Sequence, residues 1–283
     1  MTLDNPPRYV PYEPPRPTPP PDPRRRRVLL AVCCAWVLVL LAGGVWYAWH
    51  GRPSIREQTT AAGAQPTVDR AIGQVIGAAG TGVVPAVTGY DEVTTCAITP
   101  VRSGVRYDRV AWLATAPGTE SGLLDRIAAG LPHGYRPEAV HPKTGGLQAQ
   151  RLSADAGDYV QITGSVDRAG LVRITAGTGC RPPGNLPVAD PTGAPAATDR
   201  AAVQRVLDAL GVTSVRWFTH RLPCGLRTVE AVGIPRQTLD ALPTPPHPPV
   251  VDRDDVYAEG TGLLVRTDGD RVTVTSTTGG CRS

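Results

Sequence analysis

The chain has 283 residues, room for one or two ordinary domains, and a formal net charge of +4. Residues 1–27 hold six arginines against Asp4, Glu13 and Asp22, and no charge lies between Val28 and Trp49, so residues 50–283 carry only +1. A nearly neutral remainder is no electrostatic trap for nucleic acid, which excludes that class of partner. Arginine is abundant while Lys143 is the only lysine, a bias typical of a GC-rich bacterial genome, and it strips arginine and alanine counts of functional meaning.

Ten prolines stand in residues 1–27, among them Pro19-Pro20-Pro21. Proline fixes φ and lacks an amide donor, so the composition predicts a disordered, proline-rich cytoplasmic tail. A docking partner would contact Tyr9, Tyr12 or Thr18; the simpler reading is a solvated carrier of the orienting arginines. Residues 28–49 read VLLAVCCAWVLVLLAGGVWYAW, without a charge and without the polar stripe of a soluble core helix. As a helix they would run about 33 Å, enough to cross a hydrocarbon core of about 30 Å. Arg24, Arg25, Arg26 and Arg27 abut the start, while only Arg52 and Arg56 closely follow the end. The positive-inside bias then places the N-terminus in the cytoplasm and the C-terminus outside. Trp46, Tyr47 and Trp49 suit the far interface.

A cleaved signal peptide has a shorter apolar stretch of roughly 7–15 residues and a small-residue cleavage site. Bulky aromatics close this stretch instead, so a retained anchor is expected. Val32 before Cys33 does not fit a lipoprotein signal, and Cys33 and Cys34 read as small packing residues. Residues 50–65 form a polar spacer.

Beyond the spacer the sequence repeats itself, predicting two α+β units, 66–181 and 199–283, joined by a proline-rich linker at 182–198. Each opens alike, with Asp69-Arg70-Ala71 and Asp199-Arg200-Ala201. Ile72, Val75, Ile76 and Ala79 follow helical spacing, as do Val203, Val206, Leu207 and Leu210. Gly80 and Gly211 supply helix stops. Strand-like residues 105–115 precede a helical pattern at Leu123, Leu124 and Ile127; residues 226–234 precede a shorter one at Leu239 and Leu242. A hairpin then closes each unit: 159–162 with 171–174 around Asp167–Gly170, and 263–265 with 272–274 around Asp268-Gly269-Asp270. Helices on one face of an antiparallel sheet are the expected layers in both. Four cysteines, Cys96, Cys180, Cys224 and Cys281, allow three pairings. Equivalent units should each close their own bridge, which selects Cys96–Cys180 and Cys224–Cys281.

Catalytic signatures such as G-x-S-x-G, a P-loop, H-E-x-x-H or C-x-x-C do not occur, so no catalytic, cofactor-binding or metal-binding residue is expected. His133 and His141 flank a Pro/Gly-rich loop and read as surface residues. Asp252, Asp254 and Asp255 lack the glycine and distal glutamate of a calcium loop. These features lead to the expectation of a non-enzymatic, single-pass envelope protein. Its disulfide-bonded outer part would display a binding or scaffolding surface, with the lipid bilayer and an envelope protein or cell-wall ligand as partners. Two alternatives stand beside it. One is a signalling component reporting an outside ligand to the tail, with Gly43-Gly44 allowing close helix contact. The other is an anchored hydrolase without a recognisable motif.

Overall fold

The computed structural model describes residues 23–50, 59–99, 102–144, 146–182, 195 and 197–281. Most of the proline-rich tail, part of the spacer and most of the 182–198 linker therefore lie outside the described residues. The chain divides into two compact units, residues 1–54 and 55–283.

The first unit contains helix α1, Pro23–His50. It opens on a proline, whose fixed φ and missing donor suit a first helical position, and so the helix takes in the four arginines expected to precede it. Within it, Arg27–Trp46 is long and apolar enough to cross a membrane, and its described side chains are exposed throughout.

Among the described residues the second unit holds three α-helices and two antiparallel sheets of six strands each. Helix α2, Ala61–Ala79, starts inside the expected spacer because Thr60 caps it, its side chain accepting from the Gly63 amide, and because Ala61 and Ala64 are buried. It stops at Gly80, where φ is 75°. Strands β1 (Val84–Thr99) and β2 (Arg102–Ala114) follow, then helix α3 (Glu120–Gly130). Strands β3 (Glu138–Val140), β4 (Arg151–Asp155), β5 (Gln161–Arg168) and β6 (Leu171–Gly177) complete the sheet. Helix α4 (Ala197–Ala209) opens the second set, with β7 (Thr213–Arg221) and β8 (Arg227–Ile234). Strands β9 (Val251–Arg253), β10 (Val256–Glu259), β11 (Leu263–Asp268) and β12 (Arg271–Thr278) close it.

The spatial orders are β1-β2-β6-β5-β4-β3 and β7-β8-β12-β11-β10-β9, the same sequence of neighbours twice. Both expected hairpins occur, as β5–β6 and β11–β12, with Asp268 opposite Arg271 across the Asp-Gly turn. Strand β5 starts at Gln161, not Tyr159, and continues through Asp167 and Arg168, residues expected in the turn. Each sheet is larger than expected, because the short strands β3, β4, β9 and β10 extend it. The second helical pattern does not become an α-helix: Leu239–Ala241 is one 3₁₀ turn, since Pro235 and Pro243 bracket a run too short to propagate.

Alternation of side chains across the strands fixes four layers. Helices α2 and α3 cover one face of the first sheet, where Ile72, Val75, Leu123 and Leu124 meet Leu113, Ile162 and Ile174. Helix α4 covers the outer face of the second through Val203, Leu207 and Leu210 against Val229, Val265 and Val274. The two remaining faces meet. Val84, Ala86, Ala114 and Leu171 pack on Val251, Val256, Ala258 and Leu264. The two sheets are thus one body with a shared core, not beads on a linker.

The chain carries Cys96–Cys180 and Cys224–Cys281, with Cα–Cα distances of 6.0 and 5.0 Å. They close separations of 84 and 57 residues, for which chain entropy gives about 4 kcal/mol each.

A buried ion pair ties these layers together. Asp69 Oδ1 on α2 accepts from Arg109 Nη1 on β2 and from the Tyr90 hydroxyl on β1, each at 2.5 Å. Arg109 also donates through Nε to the Thr88 carbonyl and through Nη2 to the Arg221 carbonyl at the end of β7, both at 3.0 Å. Its guanidinium lies 5.1 Å from the centre of the Tyr90 ring. Removing one member of a buried pair leaves the other charge uncompensated. We expect Arg109→Met to lower unfolding free energy in urea by about 3–5 kcal/mol, whereas Arg136→Ala at the exposed Arg136–Asp155 pair should cost about 1 kcal/mol or less.

Candidate ligand cleft between the sheets

Where the shared core ends, the two inner faces part into a cleft of about 560 Å³. The alternation that buries apolar residues under the helices sends the intervening residues inward. Sheet one contributes Asp91, Trp112, Asp167 and Arg173; sheet two contributes Phe218, His220, Glu230, Arg266 and Asp268. Trp112, Arg173 and Glu230 each occupy the inward position between two apolar strand neighbours.

Two guanidiniums share one indole. Arg266 lies 4.0 Å and Arg173 5.7 Å from the centre of the Trp112 ring. Cation–π attraction offsets the repulsion of two like charges there. Arg266 is buried, and burial holds its guanidinium below the ordinary arginine value. Its Nη1 donates to Asp268 Oδ2 at 2.9 Å. At the same end Arg168 bridges Asp167, Asp255 and Asp268 at 2.6, 3.0 and 3.2 Å, clamping β5 to the β9–β10 turn and to β11.

The opposite wall is built on His220, the most buried histidine of those described. Its Nε2 is 2.9 Å from Glu230 Oε2, and its ring stacks on Phe218 at a centroid distance of 6.2 Å. Gly89 makes this packing possible: a Cβ there would stand 3.3 Å from His220 Cε1. Asp91 faces the same wall. Burial first, and then the charge of Glu230, raise its carboxyl above the ordinary aspartate value.

Chemically, the cleft offers planar hydrogen-bonding groups of both signs around two aromatic rings, the equipment of a site for a polar organic ligand. The His220–Glu230 pair can relay a proton. The serine or cysteine that would complete a hydrolytic set is not among the described lining residues.

The residues singled out in the sequence lie elsewhere. Neither disulfide lines this cleft. Arg24, Arg25 and Arg27 are exposed near the start of α1. His133 sits in a 3₁₀ turn, while His141 pairs with Asp125 of α3 at 2.8 Å on the surface. Asp255 of the acidic run belongs to the Arg168 clamp. No group of three or more metal-ligating side chains occurs among the described residues. Sequence reading passed over Trp112, Arg173, His220, Glu230 and Arg266. The signal was present as a single arginine or glutamate inside each of the apolar runs Leu171–Ile174, Thr228–Val232 and Leu263–Thr267.

Set against known proteins, the chain matches no family model, no curated protein and no solved structure.

The raised Asp91 carboxyl carries a sign. A carboxylate whose folded-state value is raised costs stability once ionised, so its contribution worsens as pH rises from the unfolded value through the folded one. Asp91→Asn should therefore raise the melting temperature at pH 7, and the advantage should vanish below the ordinary carboxylate range of about 4. Thermal melts of both proteins across pH 3–8 check this direction.

Proposed function

We propose that the protein is a single-pass membrane protein with its N-terminus in the cytoplasm and a disulfide-bonded domain outside, serving as a non-enzymatic binding or scaffolding module. The observation that carries the reading is a bare apolar helix, arginine-rich at its start, placed ahead of a domain stapled by two disulfides. Structural disulfides persist outside reducing compartments, and the arginine asymmetry orients the span so that the domain reaches such a compartment. Its ligand would be an envelope protein or a cell-wall component received in the intersheet cleft, whose Trp112, Arg173, Arg266 and Glu230 suit a polar partner.

We further propose that the two sheets descend from one duplicated unit. Identical strand order, a leading helix in each, a bridge from each early hairpin to the segment after the last strand, and the paired Asp-Arg-Ala openings support it. So does a repeated ion pair, Asp69 with Arg109 and Asp199 with Arg227, joining leading helix to second strand in both.

A reporter enzyme that works only after export, fused after Ser283, should be active in intact cells, and its activity should fall when Arg24–Arg27 are replaced by glutamates. Activity solely from a reporter that needs the cytoplasm would overturn the topology and the compartment argument together. For the cleft, Arg173→Glu and Trp112→Ala should reduce crosslinked recovery of an envelope partner from native membranes, while Arg136→Ala leaves it unchanged. Equal recovery from all three would move the binding surface elsewhere.

A further inference from the structure

We propose that a second cavity, about 370 Å³ between helix α2 and the Cys224–Cys281 bridge, binds a free α-amino acid, its ammonium held by Asp69 and Gln74 and its carboxylate by Arg70. It shares no lining residue with the intersheet cleft and does not depend on it.

One face of α2 forms the floor, since residues 66, 69, 70, 73 and 74 follow helical spacing. Gly73 lets the bridge pack down beside this floor: a Cβ there would stand in van der Waals contact with the sulfurs of Cys224 and Cys281 at 3.5 and 3.6 Å. Two acceptors on this floor want donors. Gln74 Oε1 is buried and has no hydrogen-bond partner among the described residues. An acceptor in that position carries a desolvation cost until an N–H reaches it. Asp69, only 8% exposed, spends Oδ1 on both Tyr90 and Arg109, and no hydrogen bond among the described residues engages its Oδ2.

Beside these acceptors stands Arg70, exposed and without an ion pair among the described residues. The cavity thus presents acceptors and a cation from adjacent positions of one helix. A lone amine leaves Arg70 unanswered, and a lone carboxylate leaves Gln74 and Asp69 unanswered. A zwitterion answers both, because its ammonium and carboxylate are joined by a single carbon. Pro66, Pro223 and the disulfide sulfurs supply apolar contact for a small side chain. The volume falls in the lower part of the range of roughly 300–1,000 Å³ for small-molecule sites.

Calorimetry and thermal melts on the full chain in detergent micelles test this with glycine, L-alanine and D-alanine as probes, and with ethylamine and propionate as single-charge controls. At least one amino acid should bind saturably and raise the melting temperature, with neither control doing so. Arg70→Ala and Gln74→Leu should each weaken that binding about tenfold or more, the effect of losing one charge-assisted hydrogen bond. Both positions are at least partly exposed, so both variants should keep the wild-type circular dichroism. Three results would each overturn the proposal: no saturable binding of any amino acid up to about 50 mM, wild-type affinity in either variant, or controls that bind as well as alanine.

Discussion

Arg109 is the residue on which the two-sheet body depends. A guanidinium removed from water must find partners for its donors or it destabilises the fold by several kcal/mol. Here those partners come from different layers: Asp69 from helix α2, the Thr88 carbonyl from β1 and the Arg221 carbonyl from β7 of the other sheet. A lysine could not replace it, since its three donors radiate from a single nitrogen, whereas Arg109 reaches its partners from Nε, Nη1 and Nη2 spread across a plane. Burial, and then Asp69, hold the Tyr90 hydroxyl above its ordinary value, so it stays protonated and keeps donating to that carboxylate. Each of these contacts has a direction, which the apolar contacts around them lack. The pair therefore sets how the layers align, while Val84, Leu171, Val256 and Leu264 supply the attraction between them.

The second sheet leans on the first in a further way. Leu222 and Leu226, on either side of the β7–β8 turn, join the core under α2 and α3 instead of their own sheet's core. That turn also carries Cys224, whose bridge to Cys281 rests on Gly73. The bridge that closes the second sheet is thereby part of the contact between sheets. Arg181 has a comparable role at the other end: buried, it donates through Nε to the Thr178 carbonyl and through Nη1 to Thr59, so the chain entering α2 is fixed to the segment leaving β6. Stapling and docking are one set of contacts.

Much of this was legible in the sequence, for reasons that can be stated residue by residue. Helices α2 and α4 announce themselves because Ile72, Val75 and Ile76, and Val203, Val206 and Leu207, repeat at helical spacing. The β11–β12 turn follows from Asp268-Gly269. The short strands were illegible: Glu138-Ala139-Val140 and Val251-Asp252-Arg253 are three residues each and become strands only because β4 and β10 offer them an edge. The Leu239–Leu242 pattern misled, since two leucines between prolines cannot propagate a helix. The cleft was hidden for a different reason. Trp112 and Arg266 are joined by tertiary contact across two sheets, and a charge in a strand reads locally as a solvated position. Only the second sheet's presence turns that inward face into a site.

The central claim is that both sheets fold as one body around their shared face. The fragment from Ile55 to Ser283 tests it, because it contains Trp112 in the first sheet and Trp217 in the second as its only tryptophans. Trp112→Phe and Trp217→Phe leave one reporter each, read by fluorescence during urea unfolding of the oxidised protein, with circular dichroism of the same samples as the common reference. The account predicts that within each variant the fluorescence and circular dichroism transitions coincide in midpoint and slope, as a single cooperative unit requires. A sheet-one reporter and a sheet-two reporter that each depart from the common transition, one early and one late, would contradict it.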